Sequence, residues 1–296
     1  GGGVCSSPIR GVCGGGFSNQ NLNIIDYVTI ATTGNATDFG DMTFAHTQGT
    51  GCASATRGLF MSGRAAPTNY NSIEFITIAS TGDATDFGDL SERRYNVSGC
   101  GSATRGVFMG GQGSPSSLFN TIDYVTISSG GGTFDFGDLV DGRRYCTGSS
   151  SRVTGLFMGG FDSPTFSNMI QKITISSTGD AVDTGGDLTS ARHFGCGASN
   201  GTRGFYAGGQ NPSNFDAIDF VTISSVGDAL DFGDLTVARN GLSGMNNSRT
   251  RALFMGGSTG NNTIDFITMS TTGNAADFGD IIGTLYGAQC SNAIRG

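Results

Sequence analysis

One phrase, D-F-G-D followed by Leu, Met or Ile, returns along the whole chain at intervals of 46 to 49 residues, and this constrains the fold more than any other feature. It stands at Asp38-Phe39-Gly40-Asp41-Met42, at 86–90, 135–139, 231–235 and 277–281, with a longer variant at Asp183-Thr184-Gly185-Gly186-Asp187-Leu188. Regular self-similarity of this kind marks an array of like units. Between these anchors lies a short apolar run closed by glycines, Arg105-Gly106-Val107-Phe108-Met109-Gly110-Gly111, with counterparts beginning at Arg10, Arg57, Thr154, Arg203 and Arg251. Next comes I-[DE]-[YF]-[VI]-T-I at 25–30, 73–78, 122–127 and 218–223, with Met last at 264–269; 170–175 is the odd copy. T-G-[DN]-A follows at 33–36, 81–84, 178–181 and 272–275, and its Gly-Asp or Gly-Asn pair suits a hairpin turn.

Each unit reads as a meander of four short strands, too small a sheet to stand alone but able to stack on copies of itself. The period and strand number predict an all-β, six-bladed β-propeller of four-stranded antiparallel blades, one domain over 1–296. Its repeats fall at about 11–57, 58–105, 106–154, 155–203, 204–251 and 252–296. Cys5-Ser6-Ser7-Pro8-Ile9-Arg10-Gly11 and Cys290-Ser291-Asn292-Ala293-Ile294-Arg295-Gly296 copy one segment, one more than six blades need. The expected use of the surplus is closure by terminal strand complementation, which removes an exposed sheet edge. Both ends stop inside the pattern, which suggests a segment of a longer polypeptide.

Glycine supplies 51 residues and charged types only 14%, a mixture for short strands and tight turns. Lys172 is the only lysine, and a net charge of −8 argues against a phosphate-backbone partner, so nucleic acid is not expected. No stretch of eighteen apolar residues and no signal-peptide pattern occurs in the sequence, so membrane insertion is not expected either. Of the seven cysteines, Cys5, Cys52, Cys100 and Cys290 each precede an arginine by five residues. Equivalent places on different blades cannot meet at the roughly 6 Å Cα separation a disulfide needs, so buried free thiols are expected, with Cys5 and Cys290 the one pair left open at ring closure.

In the order N-x-I-D-Y, D-F-G-D-L-x-x-A-R, R-G-x-F-x-G-G, the unit resembles the kelch repeat of six-bladed propellers, an architecture shared with the galactose oxidase propeller domain. Gly110-Gly111, Gly159-Gly160, Gly208-Gly209 and Gly256-Gly257 match its double glycine, Tyr27 and Tyr124 its tyrosine, and Arg192 and Arg239 its A-R arginine. The kelch tryptophan is missing, and Phe39, Phe87, Phe136, Phe232 and Phe278 fill its place. The formulaic T-T-G-N-A-x-D-F-G-D phrases are similar to repeats of structural proteins of marine bacteriophages.

Chemical motifs carry little catalytic promise. Six copies of D-F-G at one period are core and turn residues, and His46 and His193, about three repeats apart, do not share a metal and are expected at the surface or at strand ends. No catalytic, metal or cofactor site is expected. The arginines Arg57, Arg105, Arg203 and Arg251 are expected to form structural ion pairs with Asp26, Glu74, Asp123, Asp219 and Asp265. The segments after the double glycines differ most between copies, and Tyr70, Phe119, Phe161, Phe166 and Phe215 in them are the candidate binding residues. These features favour a non-enzymatic structural or attachment module, in a virion (a phage tail or appendage) or extracellular. Its partners would be other structural proteins of the same particle, or a cell-surface glycan or protein receptor. An intracellular kelch-type protein–protein interaction adaptor is the alternative, and a carbohydrate-active enzyme comes third.

Overall fold

The structure, a computed structural model, describes residues 3–17, 20–61, 63–246, 250–258 and 261–282. Each unit forms one four-stranded antiparallel sheet whose strands neighbour one another in chain order. In blade 3 these are the inner strand Ser98–Gly101, the second strand Arg105–Met109, the third Thr121–Thr126 and the outer Phe134–Asp138. The other inner strands are Gly3–Ser6, Thr50–Ala53, Thr147–Ser150, Cys196–Ser199 and Ser243–Asn246. Each inner strand touches that of the next blade, and the sixth touches the first, which closes a six-bladed propeller.

Every blade is contiguous in the chain, the first being built from residues 3–46 and the sixth from 243–280. Among the described residues no blade is shared between the two ends, and the ring is closed there by the contact of the first and sixth inner strands; the second copy needed for the expected strand complementation, 290–296, lies outside the described residues. The repeat frame also differs from the sheet frame by one strand. A repeat counted from Gly11 to Arg57 takes three strands of one blade and the inner strand of the next.

Three seams join each blade to its successor, and they account for the repeated anchors. At the innermost seam, the side chain at one inner-strand position packs where the next blade's second strand has glycine. A methyl group added to Gly155 would lie 2.8 Å from Cys100 Sγ, and one on Gly204 would lie 3.0 Å from Ser149 Cβ. Cys5 stands in the same relation to Gly58, Cys52 to Gly106, and Met245 to Gly11 across the closing seam. Between blades 5 and 6 the contact is Ala198 with Ala252, both buried in one cluster: the smaller side chain leaves room for the added methyl.

At the middle seam an arginine opening the second strand reaches the following blade. Arg57 Nη1 donates to the carbonyls of Ile127 (2.9 Å) and Ser128 (3.2 Å), Arg105 to Ile175, Arg203 to Met269 and Ser270, and Arg251 to Ile30. Each guanidinium lies over the aromatic ring of its own third strand, Arg105 at 4.1 Å from the Tyr124 centroid, Arg57 over Phe75 and Arg251 over Phe266. The D-F-G-D phenylalanine meets that ring edge-on, as Phe136 meets Tyr124 at 81°.

At the outer seam the D-F-G-D strand accepts the next blade's T-G-[DN]-A segment. Gly82 N donates to Phe39 O and Ala84 N to Asp41 O, while Asp41 N donates to Asp83 Oδ1. Gly34 and Ala36 repeat this on Phe278 and Asp280 across the closing seam. The glycine of the phrase has φ between 141° and 150° at Gly40, Gly88, Gly137, Gly233 and Gly279, where a side chain would be strained and would meet the neighbouring backbone. Its bulge bends the outer strand toward that neighbour.

The odd copy is consistent with this scheme. Blade 4 has Thr154, Lys172 and Thr184 in place of arginine, ring and phenylalanine, so all three members of one stack are lost together.

The six described cysteines are free and buried, and burial raises their thiol pKa values, that of Cys146 to about 12. Alkylation of the native protein without reductant should therefore leave these six unmodified, and denaturant should expose all of them; native labelling of Cys52 or Cys100, or a disulfide involving either, would contradict this packing.

Candidate functional site

Four-stranded meanders place the inner-to-second and third-to-outer turns on one face of the ring. The double-glycine loops and the linkers between blades lie on the other, the loop face. The linkers are held down by the acids of the third strand. Asp123, Asp219 and Asp265 are buried and accept from Arg94, Arg192 and Arg239 at 2.8, 2.8 and 3.0 Å. Arg94 also donates to the carbonyls of Gly110 and Thr121. The acid accepts as well from the residue after D-F-G-D-L, as Thr236 N and Oγ1 donate to Asp265.

This corrects the expected pairing. Arg105 and Asp123 lie at opposite ends of paired strands, Arg105 facing Thr126 and Asp123 facing Phe108, so they cannot meet. Arg57, Arg105, Arg203 and Arg251 instead serve the middle seam. The linker arginines were recognisable in the A-R and R-R positions, but only the fold shows that they turn back onto the third strand.

Where a copy departs, so does the pair. Gln171 replaces the acid in blade 4, and Arg143 turns to Asp141 at 2.5 Å. In blade 2 the arginine position is His46, the last residue of the strand Thr37–His46 and wholly buried, not at the surface. Neither ring nitrogen has a partner among the described residues, and burial lowers its pKa to about 4. The corresponding acid, Glu74, is buried and accepts from Thr43 N at 3.0 Å and from the Thr43 hydroxyl. Asp26 of blade 1 has no arginine partner among the described residues; burial, then the nearby Asp38, raise its pKa to about 6.

The five loop aromatics are half-buried. Phe119 and Phe215 lie 6.0 and 5.2 Å from the guanidinium carbons of Arg94 and Arg192 and so cap the buried pairs. Tyr70 stacks on Phe44 at 5.7 Å. Phe161 and Phe166 adjoin His193, which lies parallel to Phe166 at 4.7 Å, beside Phe194 and Tyr145. His193 Nδ1–H also donates to Gln210 O, 2.9 Å away.

Around the channel mouth runs a ring that sequence reasoning did not anticipate. Gln48, Asn96, Tyr145, Phe194 and Gly241 occupy one position in successive linkers, all with φ between 58° and 66°. Asn96 N donates to Gln48 O, Tyr145 N to Asn96 O and Gly241 N to Phe194 O. Holding Tyr145 and Phe194 in the left-handed region costs on the order of 1 to 3 kcal/mol each, a strain that concentrates at functional places. The next residue outward pairs with the double-glycine loop in antiparallel bridges, Thr47 with Arg64, Tyr95 with Gln112, Arg144 with Phe161 and His193 with Gln210. Geometry repeats here while chemistry changes with every blade.

Blade 1 differs in shape. Its second strand runs on to Phe17 and its third begins at Asn21, so a hairpin projects above the double glycine. Between this hairpin and blade 2 lies an open cavity of about 620 Å³ lined by Phe17, Gln20, Asn21, Thr47, Gln48 and Arg64. No protein-family model matches the chain, and no curated protein matches it.

Asp26, buried without an arginine partner among the described residues and accepting from the Ile282 backbone, gives a pH dependence of definite sign. Its folded pKa lies above the unfolded value, so the folded state binds the extra proton and is stabilised as pH falls from about 6 toward 4. His46 acts oppositely, costing stability as pH falls from about 6.5 toward 4. Asp26→Asn should thus be at least as stable as the parent at pH 8, with the difference shrinking by pH 5 in thermal melts. A variant clearly less stable at pH 8 would show that the carboxylate is held by a favourable partner.

Proposed function

We propose that this propeller is a non-catalytic binding module that attaches through its loop face to a glycan or protein receptor, as part of a virion or an extracellular assembly. The observation that carries the reading is the ring of bridged linker and loop positions. Fixed backbone geometry there presents Arg64, Phe161 and Gln210, with Gln112 buried and accepting from Arg144, while the strand positions behind them repeat because every blade must fit the same neighbours. Aromatic rings, amides and arginine at a pre-formed, partly strained rim provide what recognition surfaces use. The formulaic repetition, similar to that of phage structural proteins, supports placing the module in a particle. The free buried thiols favour a second reading, an intracellular adaptor for a protein partner, because reduced cysteines suit a reducing compartment.

Binding of the purified propeller to cell envelopes and glycan panels separates the faces. Arg144→Ala with Gln210→Ala on the loop face should weaken attachment at least tenfold at a temperature where the variant is fully folded. A modest fall in thermal midpoint follows from the lost contacts of Arg144 with Tyr145 and Phe161 and of Gln210 with Asn240. Thr32→Ala with Ser128→Ala on the turn face should leave attachment intact, and the reverse pattern would overturn the assignment.

A further inference from the structure

We infer that the cavity between blades 1 and 2 is a site for an acidic saccharide, with Arg64 receiving a carboxylate and Phe17 offering a stacking face. The inference deepens the loop-face reading and rests on it. A cavity of about 620 Å³ is in the range of small-ligand sites and admits one or two sugar rings. Its lining combines one ring, three amides, one hydroxyl and one guanidinium. Amides donate and accept at once, which suits vicinal hydroxyls, and an aromatic face covers the C–H face of a pyranose. Phe17 is 46% exposed at the end of its strand, an unusually open place for an apolar ring.

Charge selects an acid among sugars. The chain carries 24 acids, yet neither 3–25 nor 42–73, the segments that build both walls, contains one. Arg94, Arg192 and Arg239 are committed to buried carboxylates, and Arg57, Arg105, Arg203 and Arg251 to neighbouring carbonyls. Arg64 has no carboxylate partner among the described residues. Its backbone is fixed on Thr47 by hydrogen bonds of 2.8 and 3.0 Å, and its guanidinium rests 5.1 Å from the Tyr95 ring centroid. Among the described residues Nη1 reaches the Tyr95 hydroxyl, at 3.5 Å, and Nε is buried without an acceptor. A cation held in place but not neutralised, in the acid-free corner of an acidic protein, fits an anionic ligand, and planar bidentate pairing favours a carboxylate.

Calorimetric titration with trigalacturonate and with neutral galactotriose tests this on the whole chain. The acid should bind, the neutral trisaccharide at least tenfold more weakly, and rising salt should narrow the gap. Arg64→Gln should cost tenfold or more on the acid while leaving the thermal midpoint in place. Phe17→Ala should weaken both sugars, with its thermal midpoint measured alongside to show that the variant is folded at the titration temperature. Equal binding of the two sugars, no binding of trigalacturonate at millimolar concentration, or undiminished binding by both variants would overturn the site. If attachment to envelopes still depends on Arg144 and Gln210 in that event, the loop-face reading stands and only this inference falls.

Discussion

The absence of a side chain at one second-strand position sets the spacing on which the rest of the ring depends. Where Gly58, Gly106, Gly155 and Gly204 stand, the inner strand of the preceding blade inserts Cys5, Cys52, Cys100 and Ser149. Interiors are packed too closely to absorb an extra methyl without movement. The pair Ala198 and Ala252 keeps the same spacing with the volume shared differently, and Met245 against Gly11 places a large side chain at the seam where first and last blades meet. With inner strands held at that distance, the arginine reaches its carbonyls and the D-F-G-D edge reaches the next turn. The three contacts run from a blade to its successor around the ring, except that blade 4 opens its second strand on Thr154 and lacks the arginine, and the ring closes by repeating them between the sixth blade and the first.

This division of labour explains why the loop face is free to vary. Three of the linkers are fixed by buried ion pairs, Arg94 with Asp123, Arg192 with Asp219 and Arg239 with Asp265, and breaking one would leave a charge uncompensated in the interior. Among the described residues five linkers each place one residue, Gln48, Asn96, Tyr145, Phe194 or Gly241, at the channel mouth in a left-handed conformation, whatever its side chain. Side-chain chemistry can then change at Arg64, Phe161 and Gln210 without disturbing a seam.

The architecture was legible because each seam leaves a fixed phrase in the sequence, and blade number, strand number and buried thiols all follow from period and position. Partnerships were less legible. Arg105 and Asp123 recur together, but recurrence does not say which end of a strand a residue occupies, and the true partner, Arg94, sits in a linker that looked like connection. The deep burial of His46 could not be read either, because its place is filled by arginine in later copies. Blade 4 held the clearest unused clue. Thr154, Lys172 and Thr184 depart at three positions that the fold brings into one stack. The loop aromatics were visible as variable residues, whereas their capping of buried guanidinium groups at Phe119 and Phe215 depends on how the linkers turn back.

A double-mutant cycle at one inner seam tests the account most directly. Gly106→Ala sets a methyl against Cys52 Sγ and should cost about 1 to 3 kcal/mol in reversible unfolding. Combined with Cys52→Ala, which recreates the pairing of Ala198 with Ala252, it should cost less than the sum of the two single changes by roughly 0.5 kcal/mol or more. Strict additivity, or a Gly106→Ala variant as stable as the parent, would show that the glycine position does not set the spacing of the blades.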